Sequence, residues 1–172
     1  TVTGLTGHHA ANSWLSKHLE VNCQLVYQDQ SKRAIPQKTE EPFEGVVSYA
    51  DQAPILLMSS SSLDDINAKI DTPTTINHFR PNLVVKNEVP FEEDKWKKIR
   101  IGECEFDIIE GCKRCVFITI DPITLTKHPK QEPLRTLATY RKHPRGGVSF
   151  GIHLLPRKEG KITLEDEIQI LS

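Results

Sequence analysis

Two stretches in which apolar and polar residues alternate constrain the fold of this 172-residue chain most strongly. Residues 98–108 alternate on both sides of a tight turn, which is the pattern of a β-hairpin. Residues 161–170 repeat that pattern at the end of the chain. Further short β-branched runs fill the second half of the sequence, and few helical patterns separate them. This distribution predicts a mainly β (α+β) fold, a closed or nearly closed β-barrel decorated by a few short helices, and it argues against a doubly wound parallel sheet.

Three segments carry helical signals. Residues 11–19 place apolar side chains at helical spacing. Ser62 followed by Asp65 is typical of a helix start and predicts a helix over residues 63–70. Pro133 suits the first turn of a third helix, because its fixed φ is compatible with that position.

The charge balance and the cysteine spacing exclude several classes of partner. The chain has 22 basic and 23 acidic residues, so no field of one sign would attract nucleic acid or a membrane surface. No apolar run approaches the roughly 18 residues of a membrane span. The four cysteines are unevenly spaced, unlike a secreted disulfide framework, which predicts a reducing, cytoplasmic location. Because the first residue is Thr1 and not Met, we expect the chain to be part of a longer protein.

A Cys-x-x-Cys motif, Cys112-Lys113-Arg114-Cys115, is the main candidate for chemistry. The two basic residues favour the thiolate, which is the form that attacks and that binds metals. Such a pair can form a redox disulfide, supply half of a zinc site or hold one thiolate on a soft metal. Residues 116–120, four of which are β-branched, predict a strand that begins at the motif, whereas a thioredoxin-like motif would follow a strand and open a helix. One exposed thiolate on a soft metal is therefore the specific hypothesis, and two buried, inert cysteines are the alternative.

A second candidate motif, Phe79-Arg80-Pro81-Asn82, precedes a short apolar run. Pro81 disfavours the helical conformation at Arg80, which we therefore expect to be extended. Arginine suits bidentate recognition of an anion, although a solvated surface charge is the alternative for Arg80. His153 is the histidine of most interest, because it follows Phe150-Gly151 where a strand edge would open near the mouth of the barrel.

These motifs occur together with several others in a characteristic order. The set consists of Phe79-Arg80-Pro81-Asn82, Cys112-Lys113-Arg114-Cys115, Thr119-Ile120-Asp121-Pro122, Glu132-Pro133-Leu134, Phe150-Gly151 and the terminal alternating stretch. In combination they resemble the MOSC domain, the C-terminal domain of molybdenum-cofactor sulfurases. Within that family the resemblance is closest to the mitochondrial amidoxime-reducing component and the bacterial relatives that detoxify N-hydroxylated bases. It implies a MOSC-type β-barrel over residues 1–172, in which roughly residues 1–45 lead in from a preceding β-rich region.

The resemblance also implies a set of site residues. In the family, the second cysteine of the pair binds the molybdenum of a pterin cofactor, so Cys115 is the expected metal ligand and catalytic residue. The arginine and asparagine of the Phe-Arg-Pro-Asn motif contact the cofactor, which assigns Arg80 and Asn82. The remaining expected cofactor contacts are Arg114, which would bias Cys115 towards thiolate, and Thr119, Gly151 and His153.

The activity implied is that of a molybdenum-dependent oxidoreductase that reduces N-hydroxylated substrates such as hydroxylamines or amidoximes. The implied partners are a small substrate and an electron donor, either a reductase or a ferredoxin-like domain with an iron–sulfur cluster in an adjoining region. Two alternatives stay open: a carrier that holds a persulfide on Cys115 for delivery to a metal centre, and a non-catalytic barrel that binds a partner.

Overall fold

A six-stranded mixed sheet, curled into a half-barrel, dominates the structure. The computed structural model describes residues 4–28, 33–34, 46–50 and 52–172. The chain forms two compact units, Thr1–Gln52 and Ala53–Ser172, and the half-barrel belongs to the second. The predicted mainly β fold with a barrel-type sheet and a few short helices is confirmed.

The first unit contains one helix and one small sheet. The helix α1 is His9–Leu19, and the two-residue strands β1 (Arg33–Ala34) and β2 (Val46–Val47) pair in antiparallel fashion. No residue of α1 is buried, although apolar side chains lie at helical spacing along it. The predicted helix over residues 11–19 is confirmed.

The second unit contains the other elements. In chain order they are β3 (Ile55–Ser59), α2 (Ser60–Asn67), β4 (Leu83–Val85), β5 (Lys98–Ile101), β6 (Cys104–Arg114), α3 (Leu134–Tyr140), β7 (Val148–Lys158) and β8 (Ile168–Ile170). Three 3-10 helices, Ile76–His78, Glu92–Lys95 and Val116–Thr119, lie in the connections.

The strand order of the sheet is β4-β3-β7-β6-β5-β8. Only β3 and β4 are parallel, because the chain between them crosses over through α2. The long strands β6 and β7 form the centre of the sheet, and their ladder is interrupted by three register shifts. Such bulges increase local twist, which lets the sheet curl.

Two apolar clusters fill the second unit. One is built around Trp96 and Phe106 with side chains of the sheet, and the other packs α2 and α3 against the sheet around Phe79 and Phe150. The rings of Phe79 and Phe150 stack with their centroids 4.6 Å apart. The motif at residues 79–82 is therefore anchored to the core by its first residue.

Of the two predicted hairpins, the first is present and the second, at residues 161–170, is wrong. The hairpin at residues 98–108 is confirmed as β5 and β6, but residues 161–164 are not a strand, and β8 pairs with β5 instead of with them. The carboxylate of Asp166 accepts hydrogen bonds from both the backbone N–H and the hydroxyl of Thr163, which holds this segment in a turn.

The helix α2 begins earlier than predicted, because Ser59 and not Ser62 is its N-cap. The hydroxyl of Ser62 instead lies 2.9 Å from the carboxylate of Glu93, and that of Ser59 lies 3.0 Å from it. Glu93 is fully buried, so these contacts and the cap form one buried polar network. The predicted helix after Pro133 is confirmed as α3. No helix in the described ranges is long and apolar enough to cross a membrane.

Candidate functional site

The Cys-x-x-Cys motif lies where β6 ends. The strand stops at Arg114, Cys115 follows as the first residue outside it, and Val116–Thr119 forms a 3-10 helix. The predicted strand beginning at the motif is therefore wrong: β6 runs through the first three residues of the motif and ends there, and a short helix follows Cys115. The hydroxyl of Thr119 donates to the carbonyl of Val116 at 2.7 Å and favours the tight helical turn over an extended chain.

The two cysteines of the motif have different environments. Cys112 is buried within β6, whereas Cys115 is exposed, and both are free thiols. Burial raises the pKa of the Cys112 thiol, and the neighbouring Arg114 only partly offsets that effect. Cys112 is therefore a neutral thiol at physiological pH, and Cys115 is the thiol that a ligand can reach.

Arg114 joins the cysteine motif to the Phe79–Asn82 segment. Its Nη1 donates to Cys112 Sγ at 3.0 Å, and its Nη2 donates to the carbonyl of Phe79 at 2.6 Å. The guanidinium also lies 5.5 Å from the centroid of the Phe79 ring. The predicted interaction of Arg114 with the Cys115 thiolate stays a prediction, because the contacts observed lead to Cys112 and Phe79.

Arg80 adopts a left-handed conformation, with φ 56°, so the expected extended conformation is wrong. The proline that follows disfavours the right-handed helical region and favours an extended residue, so the left-handed turn is set by the tertiary contacts on either side of it, the packing of Phe79 and the hydrogen bonds of Asn82. The turn is held on its far side by Asn82, whose backbone N–H donates to the carbonyl of Leu56 at 2.8 Å. It directs the exposed Arg80 to the ring of Phe117, with 5.5 Å between guanidinium carbon and centroid. Arg80 therefore lies beside the 3-10 helix that Cys115 begins.

Asn82 fastens the same segment to β3. Its Oδ1 accepts from the backbone N–H of Leu56 at 2.8 Å, in addition to the backbone bond in the opposite direction. Its Nδ2 makes no hydrogen bond to the described residues and is the group that Asn82 can offer to a ligand.

His153 is buried on β7, opposite Glu110 on β6 and Leu56 on β3. Burial, and then the positive charge of Arg114, lower its pKa to about 4. The imidazole is therefore neutral at physiological pH. Within the described part of the chain, its Nδ1 and the Nε of Arg114 are buried without a hydrogen-bond partner.

The other two predicted residues have clear structural roles. Thr119 is only 1% exposed, and its hydroxyl is used within the 3-10 helix. Gly151 has φ +77°, and a Cβ there would lie 2.7 Å from Met58 Cγ and 2.8 Å from the carbonyl oxygen of Leu57. No other residue type fits there without movement of β3.

A basic corner near the motif was not assigned from the sequence. Lys113 Nζ donates to the carbonyl of Arg145 at 2.9 Å, and the guanidinium of Arg145 pairs with Glu110. His143 is buried beside them, and burial followed by the charge of Lys113 lowers its pKa. The pairing of β6 with β7 creates this corner, and only the basic Lys142–Arg145 sequence signals it.

A cavity of about 420 Å³ borders Arg114. Residues of α3 and the start of β7, together with Gln131, line the rest of it. Of the site residues predicted from the sequence, Arg114 is the one that lines this cavity.

The donor set fits a single-thiolate metal ligand accompanied by a polar organic group. Cys115 offers an accessible sulfur, and Arg114 Nε, His153 Nδ1 and Asn82 Nδ2 are hydrogen-bonding atoms that the described residues leave unused. Among the described residues no group of three His, Cys, Asp or Glu side chains could hold a metal ion, so they offer no second ligand pair for the zinc alternative.

The curled sheet and the motifs on it define a MOSC domain. The MOSC domain family model matches residues 44–169, and the chain belongs to this family. It is 40% identical to mitochondrial amidoxime-reducing component 1 of Danio rerio, over 76% of this chain and 41% of that protein. It is 37% identical to mitochondrial amidoxime reducing component 2 of Rattus norvegicus, over 90% of this chain and 49% of that protein. It is 32% identical to molybdenum cofactor sulfurase of Oryza sativa subsp. japonica, over 83% of this chain and 19% of that protein. The chain thus spans less than half the length of these curated relatives.

Proposed function

We propose that this chain is the MOSC portion of a molybdenum-cofactor oxidoreductase that reduces N-hydroxylated substrates such as hydroxylamines and amidoximes. In this proposal residues 1–45 are a lead-in segment, and an electron donor, a reductase or a domain with an iron–sulfur cluster, supplies electrons. The amidoxime-reducing relatives support the substrate class.

One observation carries the proposal. Arg114 and Arg80 make contacts that bring the Phe79–Asn82 segment against the turn containing Cys115. The segment with the Arg80 guanidinium and the Asn82 amide thus contacts the turn that carries the exposed thiol, although that thiol is more than 30 positions further along the sequence.

Each residue has a role that follows from its chemistry. Cys115 Sγ would bind the molybdenum as a thiolate, because soft sulfur ligands are suited to such a metal. Arg80 would bind anionic groups of the pterin cofactor and Asn82 Nδ2 its acceptor atoms. Arg114 would hold the two motifs together and direct its Nε to the same group. Neutral His153 would donate or accept one hydrogen bond without adding charge.

Reduction of an N–OH group consumes two electrons and two protons and releases water. The cofactor, when bound, supplies the two-electron chemistry. The chain's own contribution is to hold the cofactor through Cys115 and to leave the face beside Phe117 and Arg80 accessible to substrate.

The test measures molybdenum content and reduction of benzamidoxime in the full-length protein that carries this domain. We expect Cys115→Ser to lose both, because a serine oxygen is a poor substitute for a soft thiolate. Cys112→Ser should keep a substantial fraction of both, and Cys23→Ser, in the first unit, is the matched control. If Cys112→Ser and Cys115→Ser lose molybdenum alike, a two-thiolate site or a disulfide replaces this proposal.

A sulfur carrier is the second candidate, favoured by the exposure of Cys115 and by the similarity to the sulfurase. It predicts cyanide-releasable sulfur on Cys115 and no molybdenum in the purified full-length protein. Stoichiometric molybdenum would exclude it.

A further inference from the structure

The two edges of the half-barrel, β4 and β8, border an open cleft of about 910 Å³. Among the described residues, β4 pairs only with β3 and β8 only with β5. Each edge strand therefore has one side whose backbone donors and acceptors pair with no other strand of the described residues, and its residues line the cleft. Such edges are templates for the addition of a further strand.

The lining of the cleft is largely apolar, and much of it is exposed. Val84 on β4 is 53% exposed, Ile170 on β8 is 54% exposed and Leu164 is 97% exposed. All three line the cleft, so its wall exposes apolar side chains on both edge strands and on the segment before β8. Trp96 at its base is 6% exposed, and its indole N–H has no hydrogen-bond partner within the described ranges.

The charges at the rim of the cleft are mostly negative. Glu92, Glu165, Asp166 and Glu167 line it, against one lysine, Lys86. Hydrogen bonds from Thr163 lower the pKa of Asp166, so that this carboxylate stays ionised in the physiological range. An occupant with positive charges would be complementary to this rim.

We propose that the β4–β8 cleft binds an extended polypeptide segment of alternating apolar and basic residues, which adds a strand to a free edge of the half-barrel. Backbone hydrogen bonds to the edge give the segment its extended form. Its apolar side chains cover Val84, Leu164 and Ile170, and its lysines or arginines face the acidic rim. A backbone carbonyl of the segment at the base of the cleft would satisfy the indole N–H of Trp96.

The test uses a capped peptide of about seven residues in which valine and lysine alternate, a length typical of one strand. Its affinity for the 172-residue chain is measured by calorimetry, and the indole N–H resonance of Trp96 reports on the base of the cleft. Two control peptides carry glutamate for lysine or N-methyl groups on alternate backbone nitrogens. We expect the lysine peptide to bind and to move the Trp96 resonance, and both control peptides to fail.

Two double variants with equal charge change test the location. Glu165→Lys with Glu167→Lys should weaken the lysine peptide by about tenfold or more, since the rim then repels it. Asp64→Lys with Glu159→Lys changes exposed residues outside the cleft and should leave the affinity unchanged.

Several outcomes would overturn the proposal. They are no binding up to about 1 mM, equal binding of the N-methylated peptide, and equal weakening by both double variants, which would mean non-specific charge attraction. Concentration-dependent dimerisation of the chain, abolished by Val84→Lys, would show that a second copy and not a basic peptide occupies the cleft. None of these measurements depends on molybdenum or on reductase activity.

Discussion

At the scale of single residues, Arg80 has a proposed role in cofactor binding that an experiment must distinguish from a role in stability. It is exposed, its backbone is left-handed, and its guanidinium contacts the ring of Phe117. We expect Arg80→Lys to lower the molybdenum content of the full-length protein severalfold with little change in Tm, because lysine keeps the charge but not the planar fork. Arg157→Lys, which alters an arginine paired with Asp107, is the matched control. Unchanged molybdenum together with a large fall in Tm would make Arg80 a structural residue.

His153 makes the stability of the fold depend on pH. Its pKa is about 4 in the folded chain, against an ordinary value of 6.5, so between these values the unfolded chain binds more protons. Stability is therefore present above pH 6.5 and falls as the pH drops towards 4, by up to about 3 kcal/mol.

Urea unfolding at pH 7, 6 and 5 tests this dependence. We expect His153→Gln to flatten the decline, because glutamine does not titrate. His143, whose pKa is also lowered, leaves a residual slope with the same sign. The exposed His9→Gln should keep the wild-type profile, and a His153→Gln profile parallel to wild type would contradict the assignment.

At the scale of elements, the close approach of β7 to β3 depends on one glycine. Gly151→Ala adds a Cβ 2.7 Å from Met58 Cγ at φ +77°, so both steric overlap and backbone strain oppose it. Gly146→Ala has nearly the same φ, +78°, and nothing lies within 4 Å of the new Cβ. It is therefore a control for backbone strain without steric overlap.

We expect Gly151→Ala to destabilise the chain by roughly 3 kcal/mol or more and Gly146→Ala by about 1 kcal/mol. Chemical denaturation of the two variants measures the difference. Equal losses would mean that β3 moves aside readily and that the role of Gly151 lies in the cofactor site.

At the scale of the whole molecule, the second unit has the apolar core and the complete sheet that a domain needs to fold independently. Both apolar clusters, all six strands of the half-barrel and the buried Glu93 network lie within residues 53–172. We expect residues 53–172 expressed alone to unfold in one cooperative transition and to show dispersed amide resonances. A non-cooperative transition would show that residues 1–52 are needed to complete the core.

Local sequence patterns were sufficient to predict elements whose hydrogen bonds close within a few residues. The hairpin at residues 98–108, the helix after Pro133 and the mainly β character follow from alternation, turn residues and helical spacing. The Cys-x-x-Cys motif with its basic pair likewise predicts a reactive thiol from neighbouring residues alone, and stabilisation of the Cys115 thiolate stays a prediction.

Tertiary contacts decided what local patterns could not. Residues 116–120 have the composition of a strand, yet the pairing of β6 with β7 ends at Arg114 and Val116–Thr119 is a 3-10 helix. Arg80 takes a left-handed turn next to Asn82, which is fastened to β3 by two hydrogen bonds. Cys112 is buried and Cys115 exposed only because β6 lies in the centre of the sheet, and β8 pairs with β5 across more than 60 positions. Neighbouring residues thus determined the hairpin at residues 98–108, the helices and the chemical groups, whereas partners distant in the chain determined where strands end and which thiol a ligand can reach.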